Sequence, residues 1–352
     1  MNNNNRIFGL EALRLLAMLM VVTLHVLMGG GVLESSSPLS LNYNIAHFMK
    51  IMCQCAVNCF ALLSGYVGIK GKYKYANICI LWLKVLVYTV GITGIFALIG
   101  SHSISLKTFI KACMPVFNGE YWYFTAYFAL FLIMPVLNSA TEKLTYKQHL
   151  ILIGSWILFF SILPTLFMKD PFVLVDGYSV WWLMILYMVG SFVAKYETKI
   201  LVKRYYWAML YVVSVVIAFL FKVVVEYFSF TFISGNMLAG YTSPLMVSAA
   251  FGLLMFFKDM KMNDVIGKII VTLASCTFGV YIIHRNGIFW DAFISGKTAE
   301  LGTANVFVLI VIVLLRVLVI FSICGIVDFV LGSMIKKSGI KKRLLKIEGR
   351  LF

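Results

Sequence analysis

Charge is scarce in this chain. Asp, Glu, Lys and Arg make up 12% of its 352 residues, about half the share found in soluble domains. With 62% hydrophobic residues, a water-soluble core of this size could not hide the apolar surface, so the solvent must be lipid. Acidic residues are scarcer still, 14 against 30 Lys and Arg, leaving a net charge of +16. In a soluble protein that excess could mark a nucleic-acid surface. Here the cations sit in short segments between apolar runs, which is the pattern of membrane orientation, and no nucleic-acid partner is expected. Metal-ligand spacing is missing too. Cys53, Cys55 and Cys59 cluster, but no further His or Cys lies nearby at zinc spacing, so the seven Cys read as small apolar filler and no metal is expected. No cleavable signal peptide is evident, since the first apolar run carries Glu11, Arg14 and His25 and reads as a retained helix. Without a long soluble insertion or a short repeat, residues 1–352 read as one domain with a basic tail from about 333.

What remains is a series of apolar runs long enough to span a bilayer, which takes roughly 20 residues. They fall near 10–30, 44–68, 77–100, 121–138, 148–168, 180–194, 205–225, 237–257, 267–290 and 305–332, the sixth being short. The expected fold is an all-α polytopic membrane helical bundle of about ten transmembrane helices. Loop charge sets the expected orientation. With a cytoplasmic N-terminus, the inner segments hold Arg6; Lys70, Lys72 and Lys74; Lys143 and Lys147; Lys195, Lys199, Lys203 and Arg204; Lys258, Lys261 and Lys268; and seven cations from Lys336 to Arg350. The outer segments hold Lys107, Lys111, Lys169, Arg285 and Lys297. The contrast favours an even number of spans and both termini in the cytoplasm.

Ionisable residues within spans cost several kcal/mol and by default mark function. Arg14 and His25 are 11 residues apart. At about 100° per residue they return to within about 20° of one another, roughly 16 Å apart along the axis. Glu11 shares that face, within i,i+3 reach of Arg14. The bland account is an ion pair at the interface and a histidine bonded to a neighbouring helix. In the second span His47, Lys50, Gln54, Asn58, Ala61 and Gly65 step at helical intervals. Such a stripe faces a bundle interior or a cavity, or else serves as interhelical glue. His47 and Lys50 fall at roughly the depth of His25. Glu120 and Trp122 begin the fourth span and His284 ends the ninth, all on the outer side, while Lys84 lies in the inner half of the third span and Arg316 mid-way along the tenth. Trp122 is equally readable as an interface anchor.

Four segments together resemble the acyltransferase-3 family of bacterial membrane acyltransferases. They are Leu10-Glu11-Ala12-Leu13-Arg14 with Thr23-Leu24-His25; Phe60 to Ser64-Gly65-Tyr66; Glu120-Tyr121-Trp122-Tyr123-Phe124 with Pro135-Val136-Leu137-Asn138; and Thr277-Phe278-Gly279-Val280-Tyr281-Ile282-Ile283-His284. The resemblance runs in order along nearly the whole chain, without the extracellular hydrolase-like domain some relatives carry. It implies transfer of an acyl group, usually acetyl, from cytoplasmic acyl-CoA to a hydroxyl of a glycan or lipid-linked saccharide, with no permanently bound cofactor. It also implies a multi-pass protein of the bacterial cytoplasmic membrane in which Arg14 and His25 are essential.

The chemistry suits these residues. A hydroxyl is a weak nucleophile at neutral pH and needs a general base, for which histidine has the right range. His25 is the candidate base, Glu120 a candidate orienting carboxylate, and His284 a second base or an acceptor ligand. Arg14, paired with Glu11, is the candidate for the phosphates of CoA; Lys84 and Arg316 are further cations for that role. Ser64 and Tyr66 fall at the donor end, where Ser64-Gly65-Tyr66 reads as a packing and turn element rather than as a covalent serine. His47, Lys50, Gln54, Asn58 and Trp122 are candidates for the acceptor. The alternative reading is a transporter, flippase or polymerase for lipid-linked saccharide, with the same stripe lining a passage; a sensor without chemistry is a third.

Overall fold

The computed structural model describes residues 7–71, 73–98 and 105–351. Arg6 and Lys72, counted above among the inner cations, lie outside the described residues. Helices α1 (Phe8–Met28), α2 (Val32–Ser35), α3 (Leu41–Cys53), α4 (Ala56–Lys70), α5 (Tyr75–Leu98), α6 (Leu106–Cys113) and α7 (Trp122–Lys143) form the first part. Then α8 (Tyr146–Ile157) continues through a π-turn into α9 (Leu163–Phe167), followed by α10 (Val180–Tyr196), α11 (Arg204–Tyr227) and α12 (Pro244–Lys258). Last come α13 (Asp264–Ser275), α14 (Thr277–Arg285), α15 (Gly287–Phe293), α16 (Val306–Lys337) and α17 (Ile340–Leu351). There is no β-strand among the described residues. The protein is an all-α, multi-pass membrane bundle, the architecture in which each span satisfies its own backbone groups in lipid.

Nine helical stretches among the described residues are long and apolar enough to cross a membrane. The sixth expected span, α10, is 17 residues long, at the lower limit for a crossing, and is the one not among these nine. Far from marginal, it is largely enclosed, from Trp182 to Ala194, because glycines let it approach α4 backbone to backbone. A Cβ on Gly65 would stand 1.9 Å from the Tyr187 carbonyl oxygen, and one on Gly190 would stand 2.1 Å from that of Leu62. Ser64-Gly65-Tyr66 is therefore a packing element, but not a turn, since α4 runs unbroken to Lys70.

Burial grades outward from this pair. In α1 and in the α3–α4 stretch 67% of the membrane-length window is buried, against 6% in Tyr146–Phe167, which faces outward. Two spans are broken where the sequence reads as continuous. The second bends between Cys53 and Ala56, and the ninth between α13 and α14 at Cys276. In α7 the interior Pro135 removes one backbone donor, and three residues on Asn138 accepts from Tyr187 Oη at 2.7 Å.

Buried charges are paired. Asp328 of α16, 2% exposed, accepts from Lys84 Nζ at 3.0 Å and from Tyr88 Oη at 2.5 Å, joining α5 to α16. Glu348 of α17 accepts from the Tyr75 and Ala76 amides, capping the start of α5. The basic tail is thus a docked helix.

Candidate active site

A cavity of about 480 Å³ runs between α1, α4, α5, α7 and α14. Arg14 and His25 both line it, as their shared helix face requires. Glu11 forms an ion pair with Arg14, as its i,i+3 spacing anticipates. Toward the Arg14 end lie Gly68, Asn138 and, at the start of α5, Tyr73, Lys74 and Asn77. Toward the His25 end lie Trp122, Tyr178 and Tyr241. Among the described residues, no Asp or Glu lines this space.

His25 is oriented by a second histidine. Its Nδ1 lies 2.8 Å from His284 Nε2, and His284 Nδ1 lies 2.5 Å from the Val280 carbonyl oxygen. A carbonyl can only accept, so neutral His284 carries its proton on Nδ1 and offers a lone pair at Nε2. His25 must then donate from Nδ1, which leaves its own Nε2 as the basic nitrogen. Each histidine sits in the last turn of its helix. The indole of Trp290 meets the His25 ring edge-on at 5.3 Å and takes the Arg285 guanidinium on its face at 4.5 Å.

Glu120 does not occupy the expected place beside His25, because His284 fills it. Glu120 lines a separate cavity with Lys111 and Gly287. Burial pushes its carboxyl above the ordinary value, against the opposing pull of the Gly287 amide, Arg285 and Lys111. The second-span stripe is likewise divided, because the break at Gln54 and Cys55 interrupts its helix. His47 packs against Tyr43 with ring centroids 4.2 Å apart and the rings tilted, beside the Lys222–Glu226 ion pair, with Lys50 in the same electrostatic neighbourhood. Asn58 is structural: it donates to the Tyr241 carbonyl at 2.8 Å and accepts from Trp182 Nε1 at 3.0 Å. None of His47, Lys50, Gln54 and Asn58 lines the cavity, whereas Trp122 does.

The donor-side residues also separate. Ser64 lines the cavity and donates to the Phe60 carbonyl at 2.8 Å. Tyr66 turns away and donates to Glu197 at 2.6 Å. Burial would raise the Glu197 carboxyl, but Tyr66 and Lys70 outweigh it and hold the group low. Lys84 is held by Asp328 rather than directed into the cavity, and Arg316 lies half-buried on α16, also off the lining. In turn, the cavity uses aromatic residues that spacing does not single out: Tyr123 and Tyr127 on α7, Tyr281 on α14, and Tyr178 and Tyr241 in connecting segments. Tyr123, Tyr281 and Asn138 do fall within motif segments named above. For Tyr178 and Tyr241 no local pattern gives a signal.

A membrane bundle with a cavity that holds a cation at one end and an oriented imidazole toward the other is the frame of a membrane-embedded enzyme. The chain belongs to the acyltransferase-3 family: the model of that family, described as an acyltransferase domain, matches residues 7–326. It is therefore a membrane acyltransferase. No curated protein and no solved structure matches it.

Proposed function

We propose that the protein transfers an acyl group, most simply acetyl, from acyl-CoA to a hydroxyl of a glycan or lipid-linked saccharide. The observation carrying this reading is that Arg14 and His25 line one cavity about 16 Å apart along α1, with Nε2 of His25 left free by the bond to His284. The loop-charge contrast supports cytoplasmic termini in a bacterial cytoplasmic membrane. In that orientation Arg14 faces the cytoplasmic side, where it and Lys74 suit the phosphates of CoA. The pantetheine arm would extend along the cavity toward His25.

In the proposed reaction His25 Nε2 takes the proton of the acceptor hydroxyl as its oxygen attacks the thioester carbonyl carbon. The C–S bond breaks, the ester forms, and the imidazolium returns the proton to the departing thiolate. His284 holds the ring in the reactive tautomer and shares the transient positive charge. The test is mass analysis of surface glycan from cells with and without the gene. Loss of an acyl mass supports the reading, and an unchanged glycan profile in which saccharide instead accumulates inside the cell would favour a flippase.

A further inference from the structure

The cavity contains a feature that neither the base nor the donor cation explains. Near the His25 end three aromatic rings converge from three separate parts of the chain. Trp122 begins α7, Tyr178 ends the loop before α10, and Tyr241 precedes α12. Their ring centroids lie 4.4 Å apart for Trp122–Tyr178, 5.3 Å for Tyr178–Tyr241 and 6.4 Å for Trp122–Tyr241. Tyr178 is 46% exposed, whereas Tyr241 is buried. A line of ring contacts joins the cluster to the histidines. Trp122 meets Tyr123 at 5.5 Å, Tyr123 meets Tyr281 at 6.3 Å, and Tyr281 meets His284 at 6.3 Å.

The loop that delivers Tyr178 is strained. Met168, Val173, Val175 and Asp176 all have positive φ between 51° and 53°, and a β-branched residue there is an outlier. Asp170 holds this path by accepting from the Leu174 and Val175 amides at 2.8 and 2.6 Å. Gly177, at φ 94°, permits the final approach, since a Cβ there would stand 2.8 Å from Tyr241 Cβ. Strain of this kind persists where the surroundings over-determine it, and it clusters at ligand clamps.

From this arrangement we propose that Trp122, Tyr178 and Tyr241 form the acceptor subsite and recognise the C–H face of a pyranose ring, presenting its hydroxyl toward His25. The inference rests on the acyl-transfer reading of the same cavity and names the part of the acceptor that is gripped. An aromatic cage could equally hold a quaternary ammonium. The charges decide against it, because Arg14 and Lys74 line the cavity and no carboxylate does so among the described residues.

Saturation-transfer NMR on the full chain in nanodiscs tests this without acyl-CoA. The probes are methyl β-glucoside, methyl β-galactoside and methyl β-N-acetylglucosaminide, with sorbitol and choline as controls. At least one pyranoside should receive saturation at its ring C–H protons. Tyr178→Ala should weaken that binding about threefold to tenfold, Tyr178→Phe should retain it, and Asp170→Ala should weaken it by relaxing the loop. Equal saturation of sorbitol, preference for choline, no saturation of any pyranoside, or wild-type binding by Tyr178→Ala would each overturn the proposal. Release of free CoA thiol from acetyl-CoA is followed separately. A protein that binds pyranosides through Tyr178 yet never consumes acetyl-CoA would keep this subsite and refute the donor reading.

Discussion

His284 Nε2 meets His25 Nδ1 at 2.8 Å across 259 residues of sequence, and a main-chain carbonyl at the far side of His284 fixes which nitrogen of each ring carries the proton. A carboxylate in that place would stabilise an imidazolium by charge. A neutral histidine does so by accepting one bond and sharing the charge through it. We predict that His25→Ala lowers kcat by about 10² to 10⁴-fold. His284→Leu should also lower kcat with little change in either KM, while His284→Gln, whose amide oxygen can accept from His25, should recover part of the loss. Equal kcat in His284→Leu and wild type would remove His284 from the mechanism.

Arg14 should fail in a different manner. Loss of a charge-assisted contact to phosphate predicts that Arg14→Ala raises the KM for acetyl-CoA about tenfold to a hundredfold, with rescue by excess donor. Arg14→Lys should do only slightly better, because a point charge does not replace the planar fork. If excess donor rescues His25→Ala to the same extent as Arg14→Ala, the division of roles between them is wrong.

Glu120 gives a pH prediction with a definite sign. Its folded carboxyl is raised above 4.5, first by burial, so the folded state binds the proton more tightly than the unfolded state does. The resulting stabilisation is complete below the unfolded value and is lost as pH rises through the folded one. Glu120→Gln should flatten the pH dependence of the melting temperature between the unfolded value and the raised folded one, and leave transfer largely intact because His284, not Glu120, holds His25. Melting curves that keep their slope, or a kcat reduced as far as in His25→Ala, would contradict this.

The pairing of Lys84 with Asp328 predicts an asymmetry in stability. Asp328→Ala leaves a buried lysine without its counter-charge and should cost about 3–5 kcal/mol. Replacing both residues with leucine should restore much of that loss, since a buried ion pair is often replaceable by apolar packing. Should the double variant unfold as readily as Asp328→Ala in detergent titrations, Lys84 has a role beyond charge balance.

Orientation is tested by labelling, in a background with the native cysteines replaced. Ser37 and Ser338 are both exposed, and cytoplasmic termini predict that an impermeant thiol reagent outside the cell reaches a cysteine at 37 and misses one at 338. Reaction at 338 in intact cells would invert or break the proposed topology.

Composition alone determined that lipid is the solvent, and apolar runs of spanning length determined that the elements are helices, because both properties are summed over local sequence. The helical period also placed Arg14 and His25 on one face, since 11 residues return to nearly the same direction whatever the helix packs against. The same arithmetic over-reached for His47, Lys50, Gln54 and Asn58, whose stripe assumed one unbroken helix where the chain bends at Gln54. Only tertiary structure decided that the shortest span packs backbone to backbone against its neighbour, through the glycine contacts of α4 and α10. It also decided that Lys84 belongs to Asp328 and that His284 rather than Glu120 orients His25. Those outcomes depend on contacts between residues far apart in the chain, and local periodicity carries no information about which distant side chain will stand opposite.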